Sequence, residues 1–288
     1  MRVLVTGAAG MLGTDICLAL WHAGMEPLPT GRTGAITHLD VTDAANCDAV
    51  MDLLKPDAVI HCAAYTNVDG AERDPDAAYR VNALGSWIVA VACAARGVPL
   101  CAVSTDFVFD GAKAEPYTEF DAPHPLGHYG ASKLAGENCI RQVCHQHWIV
   151  RTSWLFGVRG KCFPDSILRA AETRPELRVV ADQRGTPTYT PDLAAALVRL
   201  IGSPLYGTYH IANAGVTTWY TFACRTLEMA GRGGTRVVPI TSADWPSPTR
   251  RPANSALRPY ALELQGVDLP RPWEEALADY LRARITQP

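Results

Sequence analysis

Paired cysteines, stretches of one charge sign and long apolar runs are all missing from this chain, and each absence removes a class of function. Nine cysteines are scattered through 288 residues without a single Cys-x-x-Cys pair, the spacing typical of zinc sites and thiol redox centres. The count is odd, and members such as Cys62 and Cys93 stand in apolar surroundings, so small, reduced core residues of a cytosolic protein are expected. Lys and Arg number 26 against 29 Asp and Glu, a net charge of −3 with no basic stripe, which argues against nucleic acid as a partner. The apolar opening, Arg2 to Thr6, breaks at Gly7 and is too short for a signal peptide. No run is long enough to span a bilayer, and there are no internal repeats or low-complexity tracts. The expectation is a cytoplasmic protein that acts on a small molecule, with no membrane partner, as a monomer or homodimer.

Apolar residues, by contrast, make up 48% of the chain, enough for one large domain or two that share a core. Arg2 to Thr6 reads as a buried strand, followed by a Gly-rich turn and a helix to about Ala23. Pro27 to Pro29 ends a second short strand. Asp57 to Ala63 and Pro99 to Ser104 are further strands, with a helix at Val81 to Arg96 between them. Gly130 to Gln146 suits a helix and Trp148 to Ser153 a strand. This alternation implies an α/β fold, a Rossmann-type doubly wound parallel sheet with helices on both faces. Beyond residue 157 the alternation is less clean and Pro and Gly become frequent. We expect a dinucleotide-binding domain over residues 1–157 and a smaller C-terminal substrate-binding lobe over 158–288, its chain crossing back to the core. Trp245 to Pro259, with prolines at 246, 248, 252 and 259, resembles a loop lying over a site, and Pro272 to Arg284 a terminal amphipathic helix.

The turn after the first strand is Gly7-Ala8-Ala9-Gly10-Met11-Leu12-Gly13. In a dinucleotide site the first glycine permits the tight turn, the second lets backbone approach the pyrophosphate, and the third lets helix pack close on strand. Helix N-terminal amides then face the phosphates. An acidic residue ending the second strand would favour NAD; here that place reads Thr30-Gly31-Arg32. Arg32 can pair with a 2′-phosphate, so NADP is the preferred cofactor and NAD the alternative, Arg32 being otherwise a solvated loop charge. Asp40 and Val41 are placed to contact the adenine.

Tyr129-Gly130-Ala131-Ser132-Lys133 sets a phenol and an ammonium four residues apart, on one face of a helix. A phenol has a pKa of about 10 in water. A nearby cation is expected to lower it, letting Tyr129 exchange a proton with a sugar or alcohol oxygen near neutral pH, while Lys133 also holds the nicotinamide ribose. Upstream, Thr105 ends a strand and can donate a hydrogen bond to a substrate carbonyl, with Ser104 as the alternative for that role. Ala63-Ala64-Tyr65 also ends a strand, where ligands of open parallel sheets lie; Tyr65 reads equally as a packing residue or a nicotinamide neighbour.

Together these residues resemble the dTDP-4-dehydrorhamnose reductase family of extended short-chain dehydrogenases. The resemblance rests on Ser104-Thr105-Asp106-Phe107-Val108-Phe109-Asp110-Gly111, on Tyr129 to Glu137, and on Arg151-Thr152-Ser153-Trp154-Leu155-Phe156-Gly157. Ala63 to Asp69, Asp182-Gln183-Arg184-Gly185-Thr186-Pro187-Thr188, Trp219-Tyr220 and Arg251 to Ser255 extend it over nearly the whole chain. It implies reduction of the C4 ketone of dTDP-4-dehydro-L-rhamnose to dTDP-L-rhamnose. It implies Thr105, Tyr129 and Lys133 as catalytic residues, and Asp106, Trp154 and Val68 beside the sugar. The cofactor contacts it implies are Gly10 to Leu12, Asp40, Val41 and Ala63 to Tyr65. Without the family, Trp154 reads equally as a core aromatic. Some members join subunits through magnesium held by glutamates; the corresponding positions here are Asp15 and a site near Pro191, and no metal is expected. Cys162, where asparagine is usual, and Asn254, where tyrosine is frequent, touch the substrate lobe and leave room for another sugar.

Three rivals follow. Related sugar-nucleotide dehydratases carry a glutamate after the Thr-Asp pair, where this chain has Phe107. A 4-ketoreductase of antibiotic-sugar biosynthesis, such as a dTDP-dihydrostreptose synthase, would share every motif. A non-catalytic NADP-binding regulatory subunit, like that of methionine adenosyltransferase, would keep the glycine turn but need not keep Thr105, Tyr129 and Lys133.

Overall fold

In the computed structural model, which describes residues 1–34 and 36–286, the opening apolar run becomes the middle of a parallel sheet. β1 (Arg2–Thr6) leads through α1 (Met11–His22) to β2 (Glu26–Gly31) and the short β3 (Thr37–His38), and α2 (Ala44–Leu54) leads to β4 (Ala58–His61). Then come α3 (Val68–Arg73), α4 (Pro75–Tyr79), a π-helical turn at Arg80–Gly85, α5 (Ser86–Ala95), β5 (Leu100–Thr105), α6 (His128–Val143) and β6 (His147–Thr152). The later half supplies β7 (Leu155–Phe156), α7 (Phe163–Thr173), β8 (Glu176–Val180), β9 (Arg184–Gly185), β10 (Thr188–Tyr189) and α8 (Thr190–Leu200). It continues with β11 (Gly207–His210), β12 (Thr217–Thr218), α9 (Trp219–Met229), β13 (Arg236–Ile240), α10 (Tyr260–Leu264) and α11 (Trp273–Thr286).

Seven strands form one sheet in the order β11-β6-β5-β4-β1-β2-β3, every pair parallel. The order reverses between β1 and β4, which is where a doubly wound sheet opens a crevice for ligands. Alternate side chains of β1 leave on opposite faces: Val3 and Val5 pack with Ile16, Leu193 and Leu197 under α1 and α8, and Leu4 with Val89 and Ile140 under α5 and α6. Burial on both faces is why these strands read as apolar runs and not as alternating ones. Pro27 and Pro29 fit in β2 because β3 pairs only with Thr30 and Gly31, so their missing N–H groups cost no ladder bond.

The second half is built around Phe156, Phe222, Trp273 and Tyr280, with β8 pairing β13. It also returns to the first: β11 extends the main sheet beside β6, and α8 packs on α1. One sequence expectation needs correction. The helical stretch Pro75–Ala95 is 21 residues long and apolar enough to cross a membrane by length and composition. Here its Ser86, Val89, Ala90 and Cys93 are buried, against α6 and α2. Helix α6 begins two residues before the expected Gly130, at His128. Gly127 offers no capping side chain; instead Glu72 on α3 accepts the His128 amide at 2.7 Å, a carboxylate at the positive end of the helix. That start places Tyr129 in the first turn.

Candidate active site

A cleft of about 1290 Å³ runs along the carboxyl ends of β1, β4, β5 and β6. Its cofactor-like half is the glycine turn. Gly7 has φ +67°, and a Cβ there would lie 2.9 Å from the Ala63 nitrogen; one on Gly13 would lie 2.3 Å from the Gly7 carbonyl oxygen. β1, β4 and α1 therefore meet at distances that only glycine allows. Gly10, Met11 and Leu12 line the cleft with them, as do Ala63 and Ala64, Arg32, Asp40 and Val41. Asp40 accepts the Thr42 amide at 2.9 Å and its hydroxyl at 2.8 Å, bonds that hold the carboxyl below its usual range. Beneath the turn, burial and the Lys133 charge push the His61 imidazole down to about 3, so it stays neutral with Nδ1 2.8 Å from the Thr6 hydroxyl.

Two expected cofactor contacts are not part of this wall. Thr30 is buried, and its hydroxyl folds back onto β1 to donate to the Val5 carbonyl at 3.0 Å. The backbone of Tyr65 is held by the Asn82 amide at 2.8 and 3.1 Å, its hydroxyl sits against Gly70, and it is not among the residues lining the cleft.

Thr105, Asp106, Tyr129 and Lys133 all line the opposite half. The Thr105 hydroxyl donates to Asp106 Oδ1 at 3.0 Å and accepts the Phe107 amide at 3.2 Å. The Ser104 hydroxyl instead donates to buried Glu137 at 2.6 Å. The Tyr129 ring meets Phe107 edge-on at 5.5 Å. The expectation that Lys133 lowers the Tyr129 pKa is not met. Burial pushes the phenol up to about 12, against a hydrogen bond with Thr105 and reinforced by the Asp106 charge. Lys133 donates to the Val103 carbonyl at 2.8 Å, and burial pushes its own value down to about 8. Burial dominates because both groups sit in low dielectric. Asp106 follows the same rule: burial raises it to about 6 against the Ser255 and Thr105 hydroxyls, and its Oδ2 has no well-formed hydrogen bond among the described residues.

Val68 and Trp154 line the remaining wall. Trp154 stacks on Trp219 with ring centroids 3.5 Å apart. The Trp245–Pro259 segment lies over the cleft and is tied to α3: Asp69 accepts from Thr249 at 2.8 Å and pairs with Arg251 at 3.1 Å. Cys162 and Asn254 do not line the cleft. The Cys162 thiol lies 3.4 Å from the Tyr280 hydroxyl in the core, and the Asn254 amide donates to the carbonyls of Lys113, Ala114 and Glu115. Asp15 is also occupied, by Thr190 at 2.5 Å and Arg159 at 3.3 Å; no cluster of three potential metal ligands occurs among the described residues.

Lys161 and Arg178 line the cleft as well, and sequence reasoning missed them; Trp245, also on the wall, opens the segment expected to lie over a site. Trp219 and Arg251, also on the wall, lay inside motifs already singled out. Lys161 and Arg178 belong to no motif; the available signal was a pair of cations flanking α7.

The chain matches the family described as RmlD substrate binding domain over residues 1–285. It is 40% identical to the spore coat polysaccharide biosynthesis protein SpsK of Bacillus subtilis, with 98% of each chain covered. Among solved structures it resembles a dTDP-4-dehydrorhamnose reductase of Clostridium acetobutylicum, at 40% identity and TM-score 0.94 over 98% of this chain and 99% of that one. It also resembles the dTDP-4-dehydrorhamnose reductase of Bacillus anthracis in complex with NADP, at 38% identity and TM-score 0.94 with the same coverage. With the glycine turn and the Tyr129–Lys133 helix lining one cleft, and with a match that spans both halves of the chain, this protein belongs to the RmlD substrate binding domain family.

Proposed function

We propose that this chain reduces the C4 ketone of dTDP-4-dehydro-L-rhamnose to dTDP-L-rhamnose, with NADPH as reductant. The observation that carries the reading is the convergence of Thr105, Tyr129 and Lys133 on the same cleft as the glycine turn, in a chain whose solved relatives are named dTDP-4-dehydrorhamnose reductase. The glycine turn fits a dinucleotide pyrophosphate: without side chains on Gly7 and Gly13, β1, β4 and the start of α1 close on one another and bring the helix N-terminus to the cleft. Arg32, with no acidic residue ending β2, fits a 2′-phosphate. The B. anthracis relative holds NADP. When bound, the reduced nicotinamide supplies the hydride that the ketone carbon takes up.

The chain's own residues do the rest. Tyr129, a phenol held protonated by burial, gives its proton to the carbonyl oxygen as charge develops there. Thr105 serves that oxygen by turning its hydroxyl proton from Asp106 Oδ1, a 3.0 Å bond, whereas the Ser104 hydroxyl is held by buried Glu137 at 2.6 Å. Lys133 is charged below about 8. In that state it orients the ribose and resupplies positive field to the oxyanion. Asp106, Val68 and Trp154 shape the sugar pocket, and Lys161 and Arg178 offer cations to the diphosphate.

Phe107 offers no acid for dehydration, and Cys162 and Asn254 stand outside the cleft, so neither argues for another sugar. The second half of the chain serves mainly as the substrate lobe in this reading. Nine free cysteines support a cytoplasmic setting. The test is oxidation of NADPH and of NADH on addition of dTDP-4-dehydro-L-rhamnose, followed by absorbance of the reduced nicotinamide. Rapid NADPH oxidation, abolished in Tyr129→Phe while NADP still binds, is expected. A wild-type protein that oxidises neither cofactor, or a fully active Tyr129→Phe, would overturn the proposal.

A further inference from the structure

Trp154 is one of two non-glycine residues with a left-handed backbone among those described, at φ +49°; the other, Lys55, merely closes α2. A bulky residue rarely adopts that region unless its surroundings enforce it. They do so here on both sides. The Ser153 hydroxyl binds the Thr186 carbonyl at 2.6 Å, the Trp154 carbonyl accepts the Thr188 amide at 3.3 Å, and Leu155–Phe156 pair with Thr188–Tyr189.

The indole is fixed as firmly as its backbone. One face lies on Trp219, at 3.5 Å and 9° between planes, and Trp219 is in turn braced by Phe163 at 4.6 Å. Gly185 closes on the ring so tightly that a Cβ there would lie 2.3 Å from Cε2, 2.5 Å from Cζ2 and 2.6 Å from Nε1. Such contacts over the ring junction, with Trp219 already stacked, put Gly185 on the other face. The two walls are themselves joined, since β9 and β12 pair Gly185 with Thr217, two residues before Trp219. Gly185 is not in a left-handed conformation, so the close approach to the indole is what its missing side chain serves.

We propose that Gly185 and Trp219 are positioning residues that form a slot for the Trp154 indole, so that the sugar ring meets the rim of Trp154 and not its face. This rests on the sugar-nucleotide reading above. The slot explains why the backbone turns over at Trp154: only that turn delivers the ring between two segments that the β9–β12 pair holds at fixed separation.

The test is a double-mutant cycle on the full-length protein, read as affinity for dTDP-L-rhamnose by calorimetry in the presence of NADP, and as KM against kcat. Gly185→Ala displaces the indole, and Trp219→Phe removes half of the stack while keeping an aromatic ring against Phe163. Each should weaken sugar-nucleotide affinity about tenfold, the loss of one oriented contact, with NADP affinity unchanged. In a Trp154→Ala background, which leaves no ring in the slot, the same substitutions should have no further effect, because residues that act only through Trp154 are non-additive with it. Additive losses, wild-type affinity in both single variants, or parallel loss of NADP binding would overturn the slot; Trp219→Phe decides alone if Gly185→Ala does not fold. Binding with the expected coupling but no turnover by wild type would sink the reaction and leave the slot. Turnover without coupling would do the reverse, and a wild type that binds no dTDP-L-rhamnose would overturn both.

Discussion

Arg151 on β6 grips Glu137 on α6 with two buried hydrogen bonds, Nε to Oε1 at 3.0 Å and Nη2 to Oε2 at 2.8 Å. Both side chains are 2% exposed. Burial alone would raise the Glu137 carboxyl, but Arg151, Ser104 and Arg141 hold it below its usual range. The pair ties the catalytic helix to the sheet directly behind Thr105 and Lys133, so it sets where the proton donor stands.

Arg151→Met should therefore unfold the protein at lower temperature. Removing one partner of a buried ion pair costs about 3–5 kcal/mol. Arg141 remains within 2.8 Å of Glu137, so the loss should fall near the lower end, a Tm drop of roughly 6–12 °C for a chain of this size. Glu137→Leu in the same chain should recover most of it. Thermal denaturation checks both; an Arg151→Met protein as stable as wild type would show that Glu137 is not held ionised by this pair.

Asp106 gives a pH-dependent stability with a definite sign. Its folded value, about 6, lies above the ordinary 3.8, so its contribution is fully present below 3.8 and is lost as pH rises through 6. Asp106→Asn removes that dependence. The displacement corresponds to roughly 3 kcal/mol, so the variant should match wild type at low pH and exceed it near neutrality by an amount of that order. Urea titrations at both pH values measure it.

Arg32 should decide between the two nicotinamide cofactors. It stands exposed at the cleft rim just after β2. A charge-assisted hydrogen bond to a 2′-phosphate is worth about 1.5–3 kcal/mol, so Arg32→Ala should raise KM for NADPH between tenfold and a hundredfold and leave NADH almost untouched. Equal losses with both cofactors would assign Arg32 to the turn and not to the phosphate.

The legible part of this protein was whatever depends on spacing along the chain. β1, the glycine turn and α1 follow from consecutive residues, and Tyr129 and Lys133 share a face because helical geometry puts residues four apart together. Side-chain direction and dielectric were hidden. The Thr30 hydroxyl is taken up by the Val5 carbonyl of the neighbouring strand, and the Tyr65 backbone is held by Asn82, 17 residues away. The Tyr129 shift runs opposite to what spacing predicts, because spacing shows a neighbouring cation but not the burial that outweighs it. Lys161 and Arg178 reach the cleft only through the packing of α7 and β8, which no local pattern announces.

Lys133 makes activity and stability diverge with pH. Its folded value, about 8, lies below the ordinary 10.5 because burial disfavours the ammonium. Its stabilising contribution is therefore present above 10.5 and is lost as pH falls through 8. Catalysis needs the opposite state, the ammonium that orients the ribose, whereas Tyr129, at about 12, remains a proton donor throughout. kcat/KM should accordingly fall above about pH 8, by roughly tenfold per pH unit, while the Lys133 contribution to stability rises over the same interval. Lys133→Met should abolish the rise in stability, because it removes the titrating group, and should leave little activity at any pH. A kcat/KM that stays flat to pH 10 in the wild type would transfer the alkaline limit from Lys133 to Tyr129.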